Sequence, residues 1–163
     1  MASDFVDMLE FEHKQLEIKQ LSNGAGRGVF AKCRFVPGQL VMEIDGQVID
    51  EEGYTSLYCM DLGKGRVLEP GIPGGIVNHS CDPNCQLIQL GKYQLGLEAI
   101  VNIEPGRELT YNYGWPAEVG VQRCYCGSPR CRKYIIDPEE LPRLLKQIKK
   151  AKKKKKQKTK KKK

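Results

Sequence analysis

The sequence predicts a mainly β body that ends in a short helix and a disordered lysine-rich tail, and three observations lead there. Apolar residues come in short segments, alternating or clustered, each bounded by Gly, Pro, Asn or Asp, which is the pattern of short strands. One later segment, "DPEELPRLLKQIKK", instead spaces Leu141, Leu144, Leu145 and Ile148 at helical intervals behind an Asp cap and an acidic first turn. The final block, "KKAKKKKKQKTKKKK", cannot bury apolar surface and repels itself, so it is expected to be disordered or only nascently helical.

In chain order the strand segments are "LEIKQL", "GVFAK", "QLVMEIDGQVI", "RVLEP", "CQLIQL", "YQLGLEAIVNI" and "ELTYNY". "LGKY" reads as a hairpin turn and "IEPGREL" as a Pro-Gly turn. At 163 residues the chain suits one compact domain plus an appendage. No stretch joins a basic start, an apolar run and a cleavage site, and no apolar run nears the roughly 18 residues that cross a bilayer. A soluble, intracellular protein without a membrane partner is expected.

The net charge of +7 conceals a division. Fourteen of the 27 Lys and Arg residues lie from Arg143 onward with no acid among them; the other thirteen face all twenty acids in residues 1–142, a balance of −7. An acidic body attracts a lysine-rich peptide, and a basic tail attracts phosphates. Solubility, nuclear import or folding back onto the acidic body are the alternative uses of such a tail.

Seven cysteines are an odd number, and three of them cluster as "CYCGSPRC", a spacing suited to metal rather than to disulfides. Cys124, Cys126 and Cys131 form C-x-C-x4-C, with Gly127 and Pro129 bending the chain between the last two. A tetrahedral structural zinc site takes four protein ligands. The fourth is open among Cys33, Cys59, Cys81, Cys85, His13 and His79, and packing or redox thiols are the alternative to zinc. A catalytic zinc is disfavoured, because no general base accompanies the cluster. A second concentration of chemistry, "NHSCDPNC" at residues 78–85, holds an Asn, a His and two Cys close together.

Taken together, "NHSCDPNC", "ELTYNYG", "CYCGSPRCRKYI" and "GAGRGVFA" at residues 24–31, the last followed by "VPGQLVMEIDGQVI", resemble the SET domain protein-lysine methyltransferases with a post-SET zinc segment. The resemblance covers about residues 16–136. It implies a SET fold of small curved β-sheets in which the Asn-His segment passes beneath another stretch in a pseudoknot. Its domains would be an N-terminal extension at 1–15, the SET domain at 16–115, a post-SET zinc-binding segment at 116–136, and a C-terminal helix and basic tail at 137–163.

The cofactors implied are S-adenosylmethionine and zinc. The resemblance places zinc on Cys81, Cys124, Cys126 and Cys131, leaving Cys85 as a buried thiol. It gives Gly26, Arg27, Gly28, Asn78 and His79 to the cofactor, Tyr113 to both cofactor and catalysis, and Tyr111 to a Phe/Tyr switch that favours mono- or dimethylation. The dinucleotide fingerprint is excluded for "GAGRGVF", because its glycines run G-x-G-x-G and a strand follows. A plain hairpin turn is the alternative for that loop.

Three positions depart from the family pattern. "GGIV" at residues 74–77 stands where many relatives place an Arg and an aromatic before Asn-His, Ile44 replaces a frequent aromatic, and Lys133 replaces a glycine. The segment between Asp50 and Ile76, which often helps choose substrate, is short.

Methyl transfer needs an electrophilic sulfonium, a neutral amine behind its methyl group, and little water, so positioning carries much of the rate. The function expected is lysine N-methylation of a histone or histone-like tail in the nucleus or on chromatin, with the cytoplasm as second compartment and nucleic acid as a partner of the lysine tail. A methyltransferase for a non-histone protein, and a catalytically silent zinc-stabilised module that binds chromatin, are the alternatives.

Overall fold

The computed structural model describes residues 14–21 and 26–160. His13, Gly24 and all of the expected N-terminal extension before Lys14 lie outside the described residues. The described strands are β1 (Leu16–Gln20), β2 (Arg27–Ala31), β3 (Leu40–Ile44), β4 (Gly46–Ile49), β5 (Met60–Gly63), β6 (Arg66–Pro70), β7 (Asn78–His79), β8 (Cys85–Gly91), β9 (Gln94–Ala99) and β10 (Thr110–Tyr111), followed by helix α1 (Leu141–Lys160). They form four small sheets, ordered β1-β2, β3-β9-β8, β4-β6-β5 and β10-β7.

Two compact units result. The first holds the described residues up to Asn78 together with Pro83–Tyr111, and the second holds His79–Asp82 with the described residues from Asn112.

In the first unit, β9 is the middle of its sheet, and its alternate residues Leu95, Leu97 and Ala99 are buried, as strand periodicity requires. Leu16 of β1 lies opposite Ala31 of β2 in an antiparallel register, and both are buried with Val29. The segment expected as one run, "QLVMEIDGQVI", serves two sheets: β3 pairs with β9 and β4 with β6. The break falls at Asp45, whose carbonyl accepts the Gly71 N–H at 2.8 Å, and Gly46 is needed because a Cβ there would stand 2.3 Å from the Glu69 carbonyl oxygen.

Two other expectations are corrected. β9 stops at Ala99, and Ile103 makes only a single bridge to Phe35; β10 is two residues long. β5 carries no long apolar run and is held by its hairpin with β6, where Gly63, Lys64 and Gly65 all take positive φ.

The departures at positions 44 and 74 prove to be one feature. Gly74 opens a 3-10 turn at Gly74–Ile76 and is buried; a Cβ on it would stand 2.6 Å from Cγ2 of buried Ile44. The branched Ile44 occupies the space that a side chain at 74 would take.

In the second unit, Asp137 caps a 3-10 turn by accepting the Glu139 N–H at 2.8 Å, and α1 begins directly after it. Leu144 packs with Ala117 and Ile136, flanked by Tyr134, Leu141 and Ile148, whereas Leu145, expected on the apolar face, is 39% exposed. The helix does not stop before the lysine block, as the sequence reading has it, but runs 20 residues to Lys160. Lysine is a good helix former, and once packed early turns supply the nucleus, each further residue extends the helix at little cost. No helix among the described residues is long and apolar enough to cross a membrane.

Gly74→Ala should lower stability by about 1–3 kcal/mol in chemical denaturation, the usual range for overpacking. Combined with Ile44→Ala, which vacates the space, the two losses should total less than their sum. Strict additivity would show that the residues do not share this space.

Candidate active site and metal centre

In the first unit, the expected cofactor residues meet through Asn78. Its side-chain amide donates to the Arg27 carbonyl at 2.9 Å and to Glu108 Oε1 at 2.8 Å. Both N–H bonds are thereby committed, and Oδ1 remains the atom it can offer a ligand. A Cβ on Gly28 would stand 2.6 Å from Glu108 Oε1, so a side chain there would push aside the carboxylate that holds Asn78. Gly26 has φ +82°, a left-handed conformation that suits glycine. Arg27 Nη1 is buried and has no hydrogen-bond partner among the described residues, so an anionic group brought to this strand would meet an unsatisfied donor.

Glu108 and Asn84, not singled out in the sequence, hold these residues in place. Asn84 donates to the Glu108 carbonyl at 2.8 Å and accepts the Thr110 N–H at 2.9 Å, clamping the backbone that leads into Tyr111. Tyr111 is buried on β10. Cys85 is fully buried, and burial pushes its thiol up to about 12 against the Thr110 backbone hydrogen bond, which fits the expected inert thiol.

The second unit gathers the sulfurs. Cys81, Cys124, Cys126 and Cys131 hold their Sγ atoms within 4.8 Å of one another, with Cys81 and Cys124 at 3.6 Å. Four thiolates on zinc at about 2.3 Å stand about 3.8 Å apart, so the donor set and spacing fit that ion. Of the described candidates for the fourth ligand, Cys81 joins the three, while Cys33, Cys59 and Cys85 do not. Burial pushes the Cys81 and Cys124 thiols up. Cys126 is also penalised by burial, but N–H donors of Cys81 and Ser128 and the Cys124 and Cys131 thiols bring it down to about 6.

His79 bridges this cluster to Tyr113. Its Nδ1 accepts the Tyr113 N–H at 3.2 Å, and its Nε2 faces Cys81 Sγ at 3.5 Å. A backbone N–H can only donate, so Nδ1 is the bare nitrogen and the ring proton lies on the side of the sulfur. Burial, helped by the Arg132 guanidinium, pushes the imidazole down to about 4, and the ring is neutral at physiological pH. Its edge meets the Tyr113 ring at 5.2 Å, and the Tyr113 ring lies 5.4 Å from that of Trp115.

Arg132, also missed from sequence, knits the same segments together. Nη1 donates to the Cys81 carbonyl at 3.1 Å, and Nη2 to Asn112 Oδ1 at 2.9 Å and the Ile136 carbonyl at 3.1 Å. Its backbone N–H reaches Cys81 Sγ at 3.4 Å. The next residue, Lys133, sits at φ 67°, a left-handed conformation under mild strain for a lysine, at the position where the family resemblance led one to expect glycine.

The SET domain family matches residues 26–114, more than half of the chain, and the chain belongs to that family. Among curated proteins it is similar to the histone-lysine N-methyltransferase, H3 lysine-36 specific, of Coccidioides immitis: 34% identical over 129 residues, 68% of this chain and 13% of that protein. It is 31% identical over 151 residues, 79% of this chain and 16% of that one, to the H3 lysine-4 specific histone-lysine N-methyltransferase of Schizosaccharomyces pombe. Among solved structures, KRYPTONITE in complex with mCHH DNA, H3(1-15) peptide and SAH superposes with a TM-score of 0.63 at 25% identity, covering 78% of this chain and 31% of that chain. The chain thus spans only a small part of the curated relatives it matches.

Arg132→Lys keeps the charge but loses the planar fork that reaches three acceptors. Stability in urea should fall by about 2 kcal/mol, the scale of stranding buried carbonyls. An unchanged midpoint would mean that these bonds are replaceable by water.

Proposed function

We propose that the chain is an S-adenosylmethionine-dependent protein-lysine N-methyltransferase acting on a basic, histone or histone-like tail, in the nucleus on chromatin. The observation that carries the reading is the fixing of Tyr113: its N–H rests on His79 Nδ1, and its ring lies against His79 and Trp115. A residue held this rigidly can place a hydroxyl where an amine must be aligned. The domain division expected from the sequence, with the SET domain at 16–115 and the post-SET segment at 116–136, is retained in this proposal.

S-adenosylmethionine, when bound, supplies a methyl group on an electrophilic sulfonium. Gly26, Arg27, Gly28, Asn78 and His79 would hold it: the glycines permit close backbone approach, Asn78 offers Oδ1, and the buried Arg27 Nη1 supports an anionic portion. Zinc, held by Cys81, Cys124, Cys126 and Cys131, would supply a structural crosslink and no chemistry of its own.

The chain's remaining task is to present the lysine neutral and dry. Lysine has an unperturbed pKa of about 10.4, and its ammonium has no lone pair. Desolvation lowers that pKa. Tyr113 would orient the amine through its hydroxyl, and buried Tyr111 would hold a water beside the amine that crowds out further methyl groups. The acidic balance of residues 1–142 would draw the substrate tail, and the lysine block would draw phosphates.

Incubation with labelled S-adenosylmethionine and a panel of histones and other basic proteins should give labelled lysine in the wild-type reaction. Tyr113→Phe removes one hydroxyl and should reduce turnover by at least about 100-fold, the lower scale for losing a positioned acid-base or hydrogen-bonding group, with cofactor affinity within about twofold of wild type. In the same assay Tyr111→Phe should shift the product toward higher methylation states by mass spectrometry. Near-normal turnover of Tyr113→Phe removes that residue from the mechanism, and absence of labelling on every substrate favours the silent module.

A further inference from the structure

We propose that β8 is a pairing edge at which two copies of this chain join, antiparallel and two-fold about Ile88, merging their β3-β9-β8 sheets into one. The inference stands on the first unit alone and does not rest on methyl transfer.

β8 (Cys85–Gly91) is an outer strand of its sheet. The Ile100 N–H donates to the Asn84 carbonyl at 2.9 Å. Backbone direction alternates along an antiparallel strand, so in the register that sets Gln86 against Glu98 and Ile88 against Gly96, residues Asn84, Gln86 and Ile88 turn their backbone groups toward β9. Leu87 and Gln89 turn theirs outward. Near its start the strand is flanked by β10, whose Thr110 N–H bonds to Asn84 Oδ1. From residue 86 onward, no strand is hydrogen-bonded to the outward side among the described residues.

Such an edge is ordinarily protected by a charge, a proline or a bulge. The stretch "QLIQL" at residues 86–90 has neither charge nor proline, and the ladder becomes irregular only at its far end, between Gln89 and Gly91. The outer face is apolar as well. Gly96, opposite Ile88, lies so close under Leu40 and Leu90 that a Cβ on it would stand 2.7 and 2.8 Å from their Cδ1 atoms, and both leucines are exposed.

The chemistry of this edge selects its occupant. Glu98 already accepts from Gln86 at 2.8 Å, and Glu43 from Gln94 at 2.7 Å. A lysine-rich strand would therefore lay cations over Ile88 and Leu90 while both nearby carboxylates are engaged, and an acidic strand would meet no cation on β8 itself. The strand that fits is uncharged, with outward donors and acceptors in the same alternation, and a second β8 supplies it. With a two-fold axis at Ile88, Leu87 of one copy pairs with Gln89 of the other, about four N–H···O bonds form, and Ile88 meets Ile88 in the closer, non-hydrogen-bonded pair. Gln86 then lies opposite Leu90. The antiparallel arrangement also parts the nearest cations: Lys92 lies four residues beyond the axis, so the two copies of it stand on the order of 25 Å apart, well past the ~8 Å screening length.

The test uses the full-length, zinc-loaded chain in high salt, which screens the lysine block, with sedimentation velocity over a concentration series and amide hydrogen exchange as readouts. Wild type should pass from monomer to dimer as concentration rises, and the Leu87 and Gln89 amides should gain protection with the dimer. Ile88→Lys and Ile88→Glu each set like charges on the axis, and each should weaken the dimer at least about tenfold. Mixed in equal amounts, the two variants should form a heterodimer, because the introduced ammonium then faces the introduced carboxylate; that recovery also shows that both variants fold. The proposal is overturned by a wild type that is monomeric at every concentration, by a dimer indifferent to both substitutions, or by a dimer whose Leu87 and Gln89 amides exchange as in the monomer. Variants that melt like wild type yet stay monomeric when mixed overturn the two-fold axis at Ile88, and the proposal with it.

Discussion

Four sulfurs drawn within 4.8 Å of one another are the constraint on which the second unit depends. Its apolar core is small: Ala117, Ile136 and Leu144, with Tyr134, Leu141 and Ile148 partly buried around them. A body of that size is marginal without a staple. Four thiolates brought together without a cation would repel, and burial already drives the Cys81 and Cys124 thiols toward the neutral form. A zinc ion on the four sulfurs would resolve that conflict, because the binding energy of a structural metal is also folding energy.

The octet "NHSCDPNC" divides its labour between two networks. Asn78 and Asn84 hold the first unit, tying Arg27, Glu108 and Thr110 by side-chain amide bonds. His79 and Cys81 belong to the second, where imidazole, sulfur, the Arg132 fork and the Tyr113 amide form a continuous set of hydrogen bonds. Such networks specify geometry more than they add stability, since an unmade bond in a buried site is heavily penalised. This explains why so many polar residue types crowd into eight positions.

Much of this was legible in the sequence. Strands β1, β2, β8 and β9 follow from alternating apolar segments, and the Asp137 cap and α1 from helical spacing. The cysteine spacing pointed to a cluster able to hold a metal, spacing alone left its fourth member open, and the family resemblance nominated Cys81, whose sulfur lies with the other three. β5 escaped because "MDLG" has no extended pattern and exists by virtue of its hairpin. Glu108 and Arg132 escaped because their roles are defined by partners 24 to 51 residues away in sequence, at Asn78, Asn84 and Cys81. The helical lysine block is not legible in the sequence because mutual charge repulsion and lysine's helix propensity oppose each other there, and the packed early turns decide between them. The paired departures at Ile44 and Gly74 looked like losses until their shared space was visible.

A metal on the four sulfurs would hold His79, and through it Tyr113, in place. Amide hydrogen exchange of the full chain, zinc-loaded and after removal of the metal by a chelator, tests it at one residue. Loss of zinc should abolish protection of the Tyr113 N–H, which His79 Nδ1 accepts, while amides of β9 in the other unit keep theirs. Unchanged protection at Tyr113 in metal-free protein would contradict the account.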